Sequence, residues 1–361
     1  MATYYCVATG TWSNANTSIW STTSGGASGA GPPTSGDTVV FDNNSGASGA
    51  AAITVTTALC NAISMTSGFT GSFIGSGSLT IGDAVGFNGI GNVTFSPNMT
   101  FNTAIGIILQ PLRSPFTCNF TSGGVVLGQI SAQQFVVVNQ QDNLSCGALI
   151  LLAGITWNTN NHTVTCVSFN MQSALGAKPT YNMGSTVMNV TGGGVAWTIV
   201  TSGGAAGPPI INAGTSLVHF TNGGGFTGLG ETLNNVQTSS GTPLNIEDAN
   251  NTFNAVTIDA NATLEIAHGQ TLTISNIISG GTAGHLASIV SDSPGVQGSF
   301  ATSNAIVVDY VSIKDSHGTG AGSYTALCHS VNAGDNTNWT FITPCPNDSR
   351  LPTLSSPCSQ P

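Results

Sequence analysis

Ala255-Val-Thr-Ile-Asp-Ala-Asn-Ala-Thr-Leu-Glu-Ile-Ala-His-Gly-Gln-Thr-Leu-Thr-Ile-Ser275 decides how this chain folds. Val256 and Ile258 alternate with polar neighbours, then Leu264 and Ile266, then Leu272 and Ile274, at a spacing of eight residues. Period-two alternation of this kind marks half-buried strands. Asn261-Ala262 and His268-Gly269-Gln270 fall between the pairs as corners. Two folds fit the spacing. One is a β-meander of hairpins; the other is the three faces of one rung of a β-helix, whose successive rungs stack in parallel. Hairpins favour Asn-Gly or Asp-Gly dipeptides. These corners have neither, so the β-helix is preferred, with roughly 24 residues per rung.

Similar bursts run along the chain. Ile53/Val55 and Ile63/Met65 form one set; Leu79/Ile81, Val93/Phe95 and Met99/Phe101 form another; Leu149/Leu151, Ile155/Trp157 and Val164/Cys166 form a third, joined by Asn158-Thr-Asn-Asn161. Asn suits corners because it tolerates the left-handed backbone region. Sustained helical periodicity is absent, and the 47 glycines recur too often for helix interiors. The fold class is therefore all-β: a parallel β-helix with an N-terminal cap and an extended C-terminal tail. Stacked at about 4.8 Å per rung, it makes a rod on the order of 60 Å long. Four zones follow: residues 1–36 as a cap or attachment segment, 37–245 as irregular solenoid, 246–342 as the most regular rungs and closing motif, and 343–361 as a tail containing proline and cysteine.

Charged residues make up 5% of the 361-residue chain, against roughly a quarter in an ordinary domain. Its four basic residues, Arg113, Lys178, Lys314 and Arg350, stand against fourteen acids. Nucleic-acid binding through phosphates needs many Lys and Arg, so that class is disfavoured, as is an anionic membrane surface. No apolar run reaches the roughly 18 residues of a membrane span. The opening Met1-Ala-Thr-Tyr-Tyr-Cys-Val-Ala has no basic and apolar leader, which points to synthesis in a cytoplasm. With its surface left to hydroxyls and amides, self-association is expected. The eight cysteines show no zinc-type spacing, so no metal or cofactor is implied. Cys166, alternating with Val164, reads as a small buried residue. Cys345 and Cys358 bracket the tail and are the pair most open to oxidation.

The run Trp12…Trp20…Gly25-Gly26…Pro32-Pro33…Gly36-Asp37-Thr-Val-Val-Phe-Asp42 is similar to the opening of parallel β-helix proteins of bacteriophages and bacterial surfaces. Gly147-Ala-Leu-Ile-Leu-Leu-Ala-Gly-Ile-Thr-Trp-Asn-Thr-Asn-Asn-His-Thr-Val-Thr-Cys166 looks like their inner rungs. Thr252-Phe-Asn-Ala-Val-Thr-Ile-Asp259, Val308-Asp-Tyr-Val-Ser-Ile-Lys-Asp-Ser316 and Ser330-Val-Asn-Ala-Gly-Asp-Asn-Thr-Asn-Trp339 resemble closing rungs of phage tail-fibre-like and virion structural proteins. The resemblance implies a right-handed parallel β-helix on a virion surface. It commonly implies a homotrimeric fibre or spike that meets other virion proteins and, in some cases, a host glycan. Such a protein is made in the host cytoplasm and freed by lysis. The resemblance carries over no catalytic residues.

The rival reading is a tailspike that depolymerises a surface polysaccharide. It needs a carboxyl pair about 5–5.5 Å apart for retention or 6.5–9.5 Å for inversion. The local candidates are Asp259 with Glu265 and Asp309 with Asp315. Alternation points Asp259 and Glu265 outward, and Asp315 beside Lys314 reads as a surface pair of little worth. A structural or solvated role is the plainer reading for all four. The six histidines fit no HExxH-type motif. Asp335-Asn-Thr-Asn338 lacks the spacing of a calcium loop and reads as a self-held turn. Trp157, Trp197 and Trp339 could serve as sugar platforms or as core. Capsid decoration protein, bacterial surface adhesin and, more remotely, ice-binding solenoid complete the alternatives; the last needs a regular Thr ladder, of which Thr54/Thr56 and Thr271/Thr273 are isolated examples.

Overall fold

The computed structural model describes residues 2–82, 90–110, 116–133, 136–174, 176–202, 207–248, 250–343 and 345. Among these there is no α-helix; one 3-10 turn, Ala47–Gly49, interrupts a succession of short strands. Nearly every strand pairs in parallel with strands one pass of the chain away. Val256 lies between Val236 and Ile277, and Leu264 between Leu244 and Ile289. The three apolar pairs of 255–275 therefore do not pair with one another as hairpins, which removes the meander. The protein is all-β, built of long parallel sheets of many strands.

One ladder runs through Thr3–Cys6, Thr38–Phe41, Ala62–Met65, Val93–Thr94, Phe116–Thr121, Val136–Gln140, Thr156–Asn158, Thr180–Asn182 and Ile210–Asn212, all parallel. Trp20–Ser21 folds back antiparallel on Thr3–Cys6 and covers that end. Gly10–Ser13 joins the second, larger sheet by pairing with Ala52–Cys60. Long strands of that sheet serve two ladders: the first half of Ala52–Cys60 pairs with Ser72–Ile74 and the second half with Ser78–Ile81. The last passes end in a small sheet of Ala305–Val308, Ser323–Ala326 and Trp339–Phe341. The interval between passes varies: Leu217 pairs with Asn235, but Thr180 pairs with Ile210.

Alternation puts one apolar side chain in two into a single continuous core. Every member of the apolar pairs named from sequence is buried except Phe101, which packs half-buried against the core. Each such side chain contributes about 1.5–3 kcal/mol by leaving water. Aromatic rings run through the core in contact: Trp12–Trp20 at 5.2 Å, Trp12–Phe41 at 5.8 Å and Phe120–Trp157 at 6.0 Å, then Phe169–Trp197 at 4.3 Å and Trp197–Phe226 at 5.6 Å. Trp157 and Trp197 are thus core residues, closed to sugars; Trp339 is partly exposed. Corners use the residues expected of them: Asn160, Asn161 and Asn261 have φ of 52°, 65° and 59°. Gly77 is required for another reason, since a Cβ there would collide with the Thr56 carbonyl of the neighbouring pass.

Register also aligns polar side chains. Asn119, Asn139, Asn158, Asn182 and Asn212 stand one above another. Asn158 Nδ2 donates to Asn139 Oδ1 (2.8 Å), Asn182 Nδ2 to Asn158 Oδ1 (2.6 Å) and Asn212 Nδ2 to Asn182 Oδ1 (2.6 Å). Asn158→Ala breaks two of these links, each worth about 0.5–1.5 kcal/mol. We expect the denaturation midpoint to fall accordingly. Asn254→Ala, which loses one 3.3 Å bond to Asn235, should lower it by less; urea titration of the two variants compares them.

Candidate functional site

Most of the described carboxylates act as clamps between passes. Asp142 accepts from the backbone N–H of Ser122 (2.8 Å) and Gly123 (2.7 Å). Asp248 accepts from the N–H of Gly228 (2.9 Å) and of Leu229. Asp37 accepts from Ala2 N (2.7 Å) and from both N (3.0 Å) and Oγ1 (2.6 Å) of Thr34. Desolvation opposes ionisation of Asp37, but those bonds together hold its carboxyl below the usual range. Hydrogen bonds to charged acceptors contribute about 1.5–3 kcal/mol each.

The first sequence-predicted pair is divided between two ladders. Asp259, opposite Gly280, receives Gln237 Nε2 on both oxygens (3.2 and 3.3 Å). Glu265 stands in register between Asn245 and Val290. It joins two acids not singled out from sequence, Glu247 and Asp292. Burial, then the negative charges of Asp292 and Glu247, push its carboxyl above the ordinary value. The three acids, with Asn245, Ile246 and Ala267, line a shallow depression of about 80 Å³. Asp292 also takes His268 N (2.6 Å) and Nδ1 (2.9 Å). Desolvation notwithstanding, those bonds keep it ionised below the usual range.

The second pair, Asp309 and Asp315, flanks the strand Val311–Ile313. Asp309 Oδ2 meets His329 Nδ1 at 2.9 Å, and His329 stacks flat on Tyr310 at 4.4 Å. Asp315 is not the surface residue expected: its side chain is 2% exposed, with Lys314 Nζ 3.7 Å from Oδ2 and no hydrogen-bond partner on Oδ1. It is turned inward because its corner takes φ of 52°, which breaks the strand alternation. The cysteine expectation is also corrected. Cys345 is bonded to Cys328, and Cys358 lies outside the described residues. Cys6, Cys60, Cys118, Cys146 and Cys166 are buried and free.

A groove of about 580 Å³ opens where the first ladder ends, lined by Ile211, Asn212, Thr232, Leu233, Phe253 and Asn254. Glu231 precedes Thr232. Burial pushes its carboxyl up to about 7, against the pull of the Thr232 N–H and the Lys178 charge. Glu231 escaped the sequence reading because Gly230-Glu-Thr-Leu233 shows no motif; its environment comes from the neighbouring passes. The groove can seat an extended polar chain against apolar walls, with amides on its rim.

No protein-family model matches this chain, and neither the curated proteins nor the solved structures contain a match.

Glu231 makes stability depend on pH. Its folded value of about 7 lies above the ordinary 4.5, so between those values the folded state holds more protons than the unfolded one. Stability then falls as pH rises through that window and levels above it. Glu231→Gln should raise Tm relative to wild type above pH 7 and leave it unchanged below pH 4.5, as read by thermal melts across the range.

Proposed function

We propose that this chain is a right-handed parallel β-helix serving as a structural protein of a virion surface: a tail-fibre or spike-type rod that self-associates as a trimer. The observation that carries this reading is the use made of its polar groups. Asp37, Asp142, Asp248, Asp259, Asp292 and Asp309 bind neighbouring backbone or side chains, and the Asn ladder bonds to itself. Groups spent on stacking leave little chemistry for turnover. The surface between them carries hydroxyls and amides rather than charge, and the outer edge of Trp339–Phe341 has no strand beside it among the described residues. Both features suit contact with further copies or other virion proteins. The groove beside Asn212 and Asn254 suits a host glycan by its mixture of amides and apolar walls.

A second reading, a glycan depolymerase, is favoured by one observation: Glu265 with its raised carboxyl beside ionised Asp292, an acid and a base on one face. Light scattering of the native protein tests the first reading. A mass of three times 36.3 kDa, independent of concentration, is expected. A monomer at every concentration would remove the self-trimerising rod. Incubation with host-surface polysaccharide should leave its chain length unchanged; shortening that Glu265→Gln abolishes would replace the structural reading with the enzymatic one.

A further inference from the structure

The closing end of the chain gathers two sulfurs and an imidazole in one place. Cys328 and His329 follow the strand Ser323–Ala326, and Cys345 follows the last strand, Trp339–Phe341. The Sγ atoms of Cys328 and Cys345 and a ring nitrogen of His329 all lie within 4.8 Å of one another. Cys328 Sγ is 3.9 Å from His329 Nδ1. Ligands around a tetrahedral zinc, with Zn–S about 2.3 Å and Zn–N about 2.1 Å, sit roughly 3.5–3.8 Å apart. The two sulfurs and the imidazole are thus gathered within reach of one ion.

A second observation concerns the imidazole. His329 is held by two contacts: Asp309 Oδ2 at 2.9 Å from Nδ1, and the face of Tyr310. A carboxylate on one ring nitrogen is the arrangement that orients a metal-binding histidine and makes its other nitrogen more basic. The imidazole is 46% exposed, so an ion can reach it from solvent. The remaining described thiols do not compete. Cys6, Cys118 and Cys146 are pushed up to about 12 by burial, and Cys60 and Cys166 are raised as well.

We propose that the closing end is a two-state staple. Oxidised, it is the Cys328–Cys345 disulfide; reduced, the same two sulfurs and the His329 imidazole bind one divalent zinc-type ion, with the fourth position left to solvent. Asp309 is a positioning residue that orients His329. The steps balance. A thiol reductant delivers two electrons and two protons to the disulfide, is itself oxidised to a disulfide, and leaves two thiols. The ion then displaces both thiol protons as two metal–sulfur bonds form. Disulfide and metal exclude each other, so a reducing cell and an oxidising exterior select different staples for the same end.

Cobalt(II) titration of the full chain tests this. The protein is reduced with a phosphine, which takes its oxygen from water and does not compete as a dithiol would, and the phosphine is then removed. Reduced wild type should bind one Co²⁺ per chain with thiolate-to-cobalt charge-transfer and tetrahedral d–d bands, and Zn²⁺ should bleach them. The oxidised chain, of identical sequence, should show neither band. Cys358→Ser should keep the spectrum, and Asp309→Asn should weaken binding by about 10–100-fold while far-UV circular dichroism stays unchanged. Absence of charge transfer in the reduced wild type would overturn the proposal. So would bands that survive in the Cys328→Ser/Cys345→Ser double variant, or bands lost in Cys358→Ser alone.

Discussion

In-register parallel stacking is the constraint on which everything else rests. Each side chain sits over the residue one pass away, at roughly the 4.8 Å spacing of paired strands. Like therefore stacks on like, and the cost or benefit repeats along the ladder. Asparagines gain, because an amide donates on one side and accepts on the other, as Asn139, Asn158, Asn182 and Asn212 do. Aromatic rings gain by contact in the core. Like charges at such spacing repel, which gives a physical account of the 5% charged composition. The charges that do occur stand opposite neutral partners: Glu265 between Asn245 and Val290, Asp259 against Gly280.

Corners absorb what the ladders cannot. Because pairing is set by register, the interval between passes can lengthen and the strand still returns to its place, as the pairing of Thr180 with Ile210 shows beside that of Leu217 with Asn235. Corner loops expose backbone groups that water alone would have to satisfy. The clamp aspartates meet this need: Asp142 and Asp248 each collect two backbone N–H groups from the preceding pass. A carboxylate so used is fixed in place, which suits it to tying passes together.

The strands were legible in the sequence because burial alternates locally: Val256/Ile258, Leu264/Ile266 and Leu272/Ile274 declare themselves within a few residues. The Asn ladder was not, since its members recur at unequal intervals and only three-dimensional register aligns them. The same holds for the acids. Asp259 and Glu265 are close in sequence but a corner sends them to separate ladders, whereas Glu247, Glu265 and Asp292 are distant in sequence and meet on one. Asp315 misled for a local reason, because alternation does not survive a residue in the left-handed region. Cys345 read as the partner of Cys358 because the two bracket the tail; its bond to Cys328 depends on where the last strand ends, which only the fold shows.

The closing end differs from the rest because, among the described residues, no further pass covers it. A middle strand is held on both sides by backbone ladders; among the described residues Trp339–Phe341 is held on one. Side-chain burial cannot make up the difference, since Trp339 and Phe341 are only partly buried. The Cys328–Cys345 bond, closing a sequence separation of 17 residues, restricts the unfolded chain by an amount worth about 3 kcal/mol in the chain-entropy account, comparable to the missing ladder bonds. A crosslink is therefore placed where hydrogen bonding runs out. The aromatic-on-imidazole stack of Tyr310 and His329 sits beside it, anchored by Asp309, so the last pass is fastened through side chains where earlier passes are fastened through the backbone. Among the described residues the stacking rule has no further pass to act on beyond Trp339–Phe341, and the side-chain fastening concentrated there follows from that loss.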